Sequence, residues 1–340
     1  MSFTFTNMLN RYAVRSKPPI LQWVAGGRGS AGLIITSTNG TSWTAASSNG
    51  GINQYVYGVA YGKNVSGTGD LWVAVGDGTN QMAYSTNGTS WTGTAANGGV
   101  RYPYGVGYGR DGSGNGLWVV VGQGITPAFR TITTSLDGIT WTDTSANGGF
   151  SSYGEYVAYG RDSSGAGLWI AVGSGSNIIL RSPNGTNWTA TASTGGVASL
   201  ARGVAFGKDG SGNDLWVVCG QGTAIATSLD GNNFTQAVSV GGVTNAYGVA
   251  YGNGLWVVVG AGTRTIAYST DGTNWTGTTA NGGLNSAGWG VKYGEGRWVA
   301  VGNGTQRVVS STDGINWTAA SPNGGVTNLG IDVAFKPTPV

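Results

Sequence analysis

Histidine is absent from this 340-residue chain, cysteine occurs once (Cys219) and glutamate twice (Glu155 and Glu295). Without histidine, Ser-His-Asp and Cys-His catalytic sets and His-ligated zinc are excluded. A single cysteine excludes an internal disulfide and any multi-cysteine metal site. Charge is scarce as well: acidic and basic residues make up 9% of the chain, against roughly a quarter in ordinary domains. No run approaches the ~18 apolar residues that would cross a bilayer as a helix. The opening residues hold no apolar stretch of signal-peptide length, so a secretory leader is not expected. Localisation is left open by these features.

What is abundant is glycine, at 65 residues, together with 14 tryptophans and 15 tyrosines. So much glycine invites a disordered reading, but 39% hydrophobic residues provide for a large core. Periodicity settles the matter. From residue 20 onward one phrase recurs seven times, anchored by an aromatic after a tight turn: Trp43, Trp91, Trp141, Trp188, Phe234, Trp275 and Trp317. The intervals are 48, 50, 47, 46, 41 and 42 residues, with no helical pattern between them. A period in the forties made of short strands predicts an all-β, seven-bladed β-propeller with four antiparallel strands per blade.

Within a unit, GVAYG (residues 248–252) reads as a crowded first strand near the axis. LWVVVG (255–260) is a second strand buried on both faces, IAYST (266–270) a third, and NWTGT (274–278) the outermost. Asp271-Gly272 between the last two is a hairpin dipeptide whose members both tolerate φ > 0. The first repeat begins at a second strand, LQWVAGG (21–27), and the missing first strand reappears at the far end as IDVAF (331–335). Pairing them closes the ring in blade 1. Residues 1–19, with Arg11, Arg15 and Lys17, stand outside the repeat as a basic arm, and the propeller occupies 20–340.

The turn phrases Ser85-Thr86-Asn87-Gly88-Thr89-Ser90-Trp91, Ser135 to Trp141 and Ser269 to Trp275 resemble the Asp-box, or bacterial neuraminidase repeat, of sialidases and many non-enzymatic propellers. This sequence lacks one residue between Asp and Gly and has Asn39, Asn87 and Asn184 in place of the acid. Free exchange of Asn for Asp implies a turn-shaping hydrogen bond rather than charge or metal binding. Phrases of the type GLWVAVG…AYSTDGxNWT also resemble repeat proteins of large DNA viruses and phages. WD-repeat propellers, with their Gly-His pairs, fit worse.

Sialidases with this repeat use an arginine triad, a tyrosine nucleophile assisted by glutamate, and an aspartate acid. The resemblance offers only Glu155, between Tyr153 and Tyr156, as an activating pair, without the arginine context or the longer inserted loops. Glu155 therefore reads as a solvated loop carboxylate, and Glu295 lies in a turn on the opposite face. The expectation is no enzyme, no cofactor and no metal. Asp111–Asn115 and Asp209–Asn213 offer too few carboxylates for calcium. Val75-Gly76-Asp77-Gly78 has no helix after it and is no phosphate loop. Cys219 replaces a valine of a second strand and reads as a small buried hydrophobe.

Blade assignment also sorts the charges. The rim of inter-blade and second-to-third loops, the top, receives Arg28, Arg101, Arg130, Arg202, Arg264 and Arg307 against Asp77, Glu155 and Asp332. The opposite rim receives ten carboxylates against five basic residues. Such a field orients an acidic partner; six arginines around a ring are too sparse for nucleic acid. The top is aromatic too: Tyr55, Tyr57, Tyr102, Tyr104, Tyr153, Tyr156, Tyr247 and Trp289 follow the inter-blade glycines. With the six arginines these form the candidate ligand-binding set, seven similar clefts for glycan or protein. The sequence thus predicts a multivalent, lectin-like recognition module. The alternatives are a structural or virion-associated scaffold that docks onto other proteins, tethered by residues 1–19, and a degenerate sialidase-like hydrolase.

Overall fold

A computed structural model of the chain describes residues 23–29, 33–94, 97–124, 130–144, 148–222 and 225–337. The basic arm, residues 1–19, lies outside the described residues. Seven antiparallel sheets follow one another around a closed ring, and among the described residues there is no helix. The innermost strands are Tyr55–Lys63, Tyr102–Arg110, Tyr153–Arg161, Ala201–Lys208, Val243–Gly252, Ala287–Gly294 and Leu329–Phe335, in blades 2 to 7 and then 1. Each packs against the innermost strand of the next blade.

Ring closure is as expected: Leu329–Phe335 pairs antiparallel with Trp23–Arg28, so one sheet draws strands from both ends of the chain. A second latch lies on the outer edge. The segment leaving blade 7 crosses to blade 1, where Ser321 N–H donates to Thr41 O and Trp43 N–H to Pro322 O. Similar crossings join blade 1 to blade 2 and blade 5 to blade 6, through Ser47 N–H to Thr89 O and Val238 N–H to Thr273 O. After blade 4 the crossing segment Ser193–Thr194 becomes a fifth strand, parallel to Asn233–Gln236. These segments cover an outer edge that would otherwise offer unpaired backbone groups.

The core lies between blades. Second strands such as Leu255–Gly262 are apolar on both faces because each face meets a neighbouring sheet. Each blade places one buried tryptophan there: Trp23, Trp72, Trp118, Trp169, Trp216, Trp256 and Trp298. Four of these donate an indole N–H to the last residue of the preceding blade's innermost strand, for example Trp256 Nε1 to Lys208 O at 2.7 Å. A second set, Trp43, Trp91, Trp141, Trp188, Trp275 and Trp317, with Phe234 in blade 5, is buried beneath the turns. Trp289 alone belongs to neither set.

The turn between third and fourth strands differs from a primed hairpin. Only its glycine has positive φ, +79° at Gly272. Ser269 Oγ accepts from the N–H groups of Asp271 and Gly272 and donates to Asp271 Oδ1, which also accepts from Thr273 and Asn274 N–H at 2.8 Å. Asn87 makes the same bonds from its amide oxygen, with Thr89 and Ser90 N–H at 2.9 Å. The turn needs an oxygen, not a charge. The outermost strand is accordingly short, Thr276–Gly277 in blade 6.

Candidate functional site

All seven innermost strands carry a β-bulge at the same place. Pairing with the second strand skips one residue in each: Tyr57, Tyr104, Glu155, Arg202, Tyr247, Trp289 and Ile331. An extra residue in one strand re-aims its side chain. Here the seven bulged residues surround the top mouth of the central channel and line a cavity of about 410 Å³.

The residue after the bulge is glycine in five blades: Gly58, Gly105, Gly203, Gly248 and Gly290. The strands converge so closely at this level that a Cβ on Gly105 would stand 2.5 Å from Glu155 O, and one on Gly248 2.5 Å from Trp289 O. Blades 4 and 1 break the pattern with Tyr156 and Asp332, which form the cavity floor. Asp332 is 4% exposed, and its Oδ2 accepts the Val59 N–H of blade 2 at 2.9 Å. Burial raises its carboxyl to about 7, against the pull of backbone donors Val59 and Val333 and of Lys292. Burial drives the Tyr156 hydroxyl well above the usual phenol range, with the Asp332 charge acting in the same direction.

Two residues further on, a lumen position that is Ala or Gly in six blades is Lys292 in blade 7. It stands in the lower lumen, a space of about 270 Å³, open to the channel yet ringed by strands. That confinement lowers its amine, and Asp332 opposes the shift.

Around the mouth the aromatics form two arcs. Tyr55, Tyr57, Tyr104 and Tyr153 run from blade 2 to blade 4, with ring centroids 5.4, 5.3 and 5.8 Å apart in succession. On the far side Tyr247 and Trp289 stack at 4.5 Å, with the Arg202 guanidinium 4.9 Å from the Tyr247 ring. The arcs meet where Glu155 and Arg202 stand on neighbouring blades. Burial raises the Glu155 carboxyl and Arg202 lowers it. Burial lifts the Tyr104 hydroxyl to about 12, with Tyr57 and then Glu155 adding to the rise.

The predicted site residues therefore divide. Tyr55, Tyr57, Tyr104, Tyr153, Tyr156, Arg202, Tyr247 and Trp289 share one axial cavity instead of seven separate clefts. Arg28 stacks over Tyr55 at 5.0 Å just outside it, and Arg101 stacks over Tyr102 at 5.1 Å. Arg130 is paired with Asp143 at 3.3 Å, and Arg307 donates to Asn328 O at 2.8 Å and to Gly304 O. Arg264 is exposed, near Gly242 and Gly277.

Two placements need correction. Glu155 is not a solvated loop carboxylate: it lies in strand Tyr153–Arg161, half-buried in the cavity wall. Asp332 is not a rim charge but a buried floor residue. Lys292 was missed altogether. Aligning the seven innermost strands exposes all three floor and lumen exceptions, since each breaks a column of Gly or Ala. Cys219 is fully buried, and burial raises its thiol to about 12. Asp111 Oδ1 accepts from Ser113 and Asn115 N–H, so that loop's carboxylate is occupied by its own turn. No cluster of metal-ligating side chains occurs among the described residues.

No family profile and no curated protein sequence matches this chain. Solved structures do resemble it. YCF48 from Cyanidioschyzon merolae is 19% identical, with TM-score 0.56, over 87% of this chain and 92% of that one. The computationally designed Ika8 protein is 11% identical, with TM-score 0.56, over 93% and 91%. The GH74 xyloglucanase from Xanthomonas campestris is 12% identical, with TM-score 0.53, over 86% of this chain but 43% of its own. At these identities the likeness is one of fold. The chain is a seven-bladed β-propeller.

Proposed function

We propose that this protein is a non-enzymatic recognition module that binds a glycan end or a protein segment in the axial cavity. One observation carries the reading: the same bulge in seven blades turns six aromatic or charged side chains and Ile331 toward one point, where the repeat itself requires none of them. Trp289 makes the case most simply, since every other tryptophan occupies a framework position of the blade. Aromatic faces beside an arginine and a carboxylate suit sugar rings, which stack through C–H groups and bond through hydroxyls. A cavity of about 410 Å³ is of ligand-pocket size.

Catalysis is not part of the proposal. A tyrosine nucleophile needs a base within hydrogen-bond reach. The Tyr156 hydroxyl has no such bond to Glu155, and burial makes it a weaker acid, not a stronger one. Glycan-array binding followed by titration of tryptophan fluorescence tests the function. Trp289→Ala and Tyr104→Ala should each weaken binding at least tenfold, whereas Tyr102→Ala, outside the cavity, should not. Equal loss from all three, or retained binding in the first two, refutes the axial site. Turnover of a sialoside by the wild type, lost in Glu155→Gln, would refute the non-enzymatic reading.

A further inference from the structure

The two charges at the mouth are held in an unusual relation. Glu155 and Arg202 occupy the same bulge position on adjacent blades and feel each other's charge, yet they form no ion pair. Neither carboxylate oxygen of Glu155 takes a hydrogen bond from any described residue. Arg202 Nε is buried without a hydrogen-bond partner among the described residues, and its guanidinium rests on the Tyr247 ring. Opposite charges partly withdrawn from bulk water and left unpaired are costly, and a third group that bonds to both offsets that cost.

The surroundings of the two charges differ in kind. Glu155 faces the tyrosine arc, with Tyr104 beside it and Tyr153 5.8 Å beyond. A carboxylate with aromatic faces is the chemistry that takes an ammonium group. Arg202 presents a planar fork of donors against an aromatic stack, the chemistry that takes a carboxylate or phosphate. A simple anion at Arg202 would meet Glu155 beside it and Asp332 on the floor. A simple cation at Glu155 would meet Arg202, with Lys292 below the floor. Only a group carrying both signs satisfies both arcs.

We infer that the axial cavity holds a zwitterionic group, its ammonium between Glu155 and the Tyr104–Tyr153 rings and its acidic end on Arg202. This rests on the cavity being the recognition site and names the ligand chemistry within it. The acidic end can be a phosphate or a carboxylate, and two probes separate these sources.

Isothermal titration of the full chain with phosphocholine and with glycine betaine should show saturable binding of at least one. The bound probe should be held at least tenfold tighter than choline or inorganic phosphate alone. Glu155→Gln should remove the advantage of the zwitterion over phosphate, and Arg202→Gln its advantage over choline, with unfolding midpoints confirming folded variants. Half-ligands that bind as tightly as the zwitterion overturn the inference in the wild type, whatever the variants do. A neutral methyl glycoside bound equally by wild type, Glu155→Gln and Arg202→Gln also overturns it, while leaving the recognition site standing. No binding of any probe, together with a silent glycan array, overturns both.

Discussion

Replacing Asp332 by Asn should make the protein more stable, and by an amount that grows with pH. The carboxyl is 4% exposed and held up at about 7 by burial, whereas an unfolded-chain aspartate titrates near 3.9. Between about pH 4 and pH 7 the folded protein keeps a proton that the unfolded chain has released. Stability therefore falls as pH rises through that window and levels off above it. Three pH units at 1.36 kcal/mol each give a ceiling of about 4 kcal/mol. Asparagine keeps an oxygen for the Val59 N–H, now 2.9 Å from Oδ2, and carries no charge. Lys292 loses its counter-charge in the variant, which offsets part of the gain. The two proteins should melt together near pH 4, and the variant should melt progressively higher toward pH 8. At about 1.5 °C per kcal/mol for a chain of this length, the separation reaches up to about 6 °C. Tryptophan fluorescence melts at half-unit pH steps measure it. A difference independent of pH, or a variant that is less stable at pH 8 than at pH 4 relative to wild type, refutes the reasoning.

Asp271→Ala should cost about 1 kcal/mol, as loss of a capping oxygen does, while Asp271→Asn should cost less, losing only the Asn274 bond to Oδ2. Backbone and side-chain donors from Asn274, Thr273 and Ser269 hold the Asp271 carboxyl below its usual range despite burial. Its stabilisation is therefore complete above about pH 4 and is lost as pH falls further; acid melts of Asp271→Asn against wild type should show the variant losing less. Gly105→Ala forces a Cβ to 2.5 Å from Glu155 O and should lower stability by about 1–3 kcal/mol; an unchanged urea midpoint would contradict the packing described. A chain ending at Asn328 lacks the strand that pairs with Trp23–Arg28 and should lose its cooperative melt. Adding a peptide of residues 329–340 should restore that melt, and cooperative unfolding without it would show that ring closure is dispensable.

The repeat made the architecture legible because blade geometry is repeated chemistry. A turn aromatic every forty-odd residues, a valine-rich second strand and an orphan first strand at the far end leave one ring. The candidate site was legible only in part. Tyr57, Tyr104, Tyr247 and Trp289 stand out by type, but their convergence depends on a bulge whose only trace in the sequence is a following glycine, present in five of the seven blades. A regular strand would alternate those side chains into the blade interface. The charge map fared less well for a similar reason. Rim position follows from loops, while Asp332 is the fourth residue of strand Leu329–Phe335, Arg130 pairs with Asp143 and Arg307 bonds backbone carbonyls. Sequence places charges on elements; pairing and depth decide whether they remain available.

The seven bulges separate the residues that line the axial cavity from those that keep the molecule folded. Their residues leave the strand pairing and take no place in the valine and tryptophan layers between sheets. Each can therefore be exchanged without loosening a blade, as Tyr, Glu, Arg, Trp and Ile already show by occupying the same slot. Such a ring is a seven-letter word written on a fixed page. Recombination between blades would spell a new word while preserving closure, changing the cavity wall and little else. A library randomised at only those seven codons would explore that vocabulary directly.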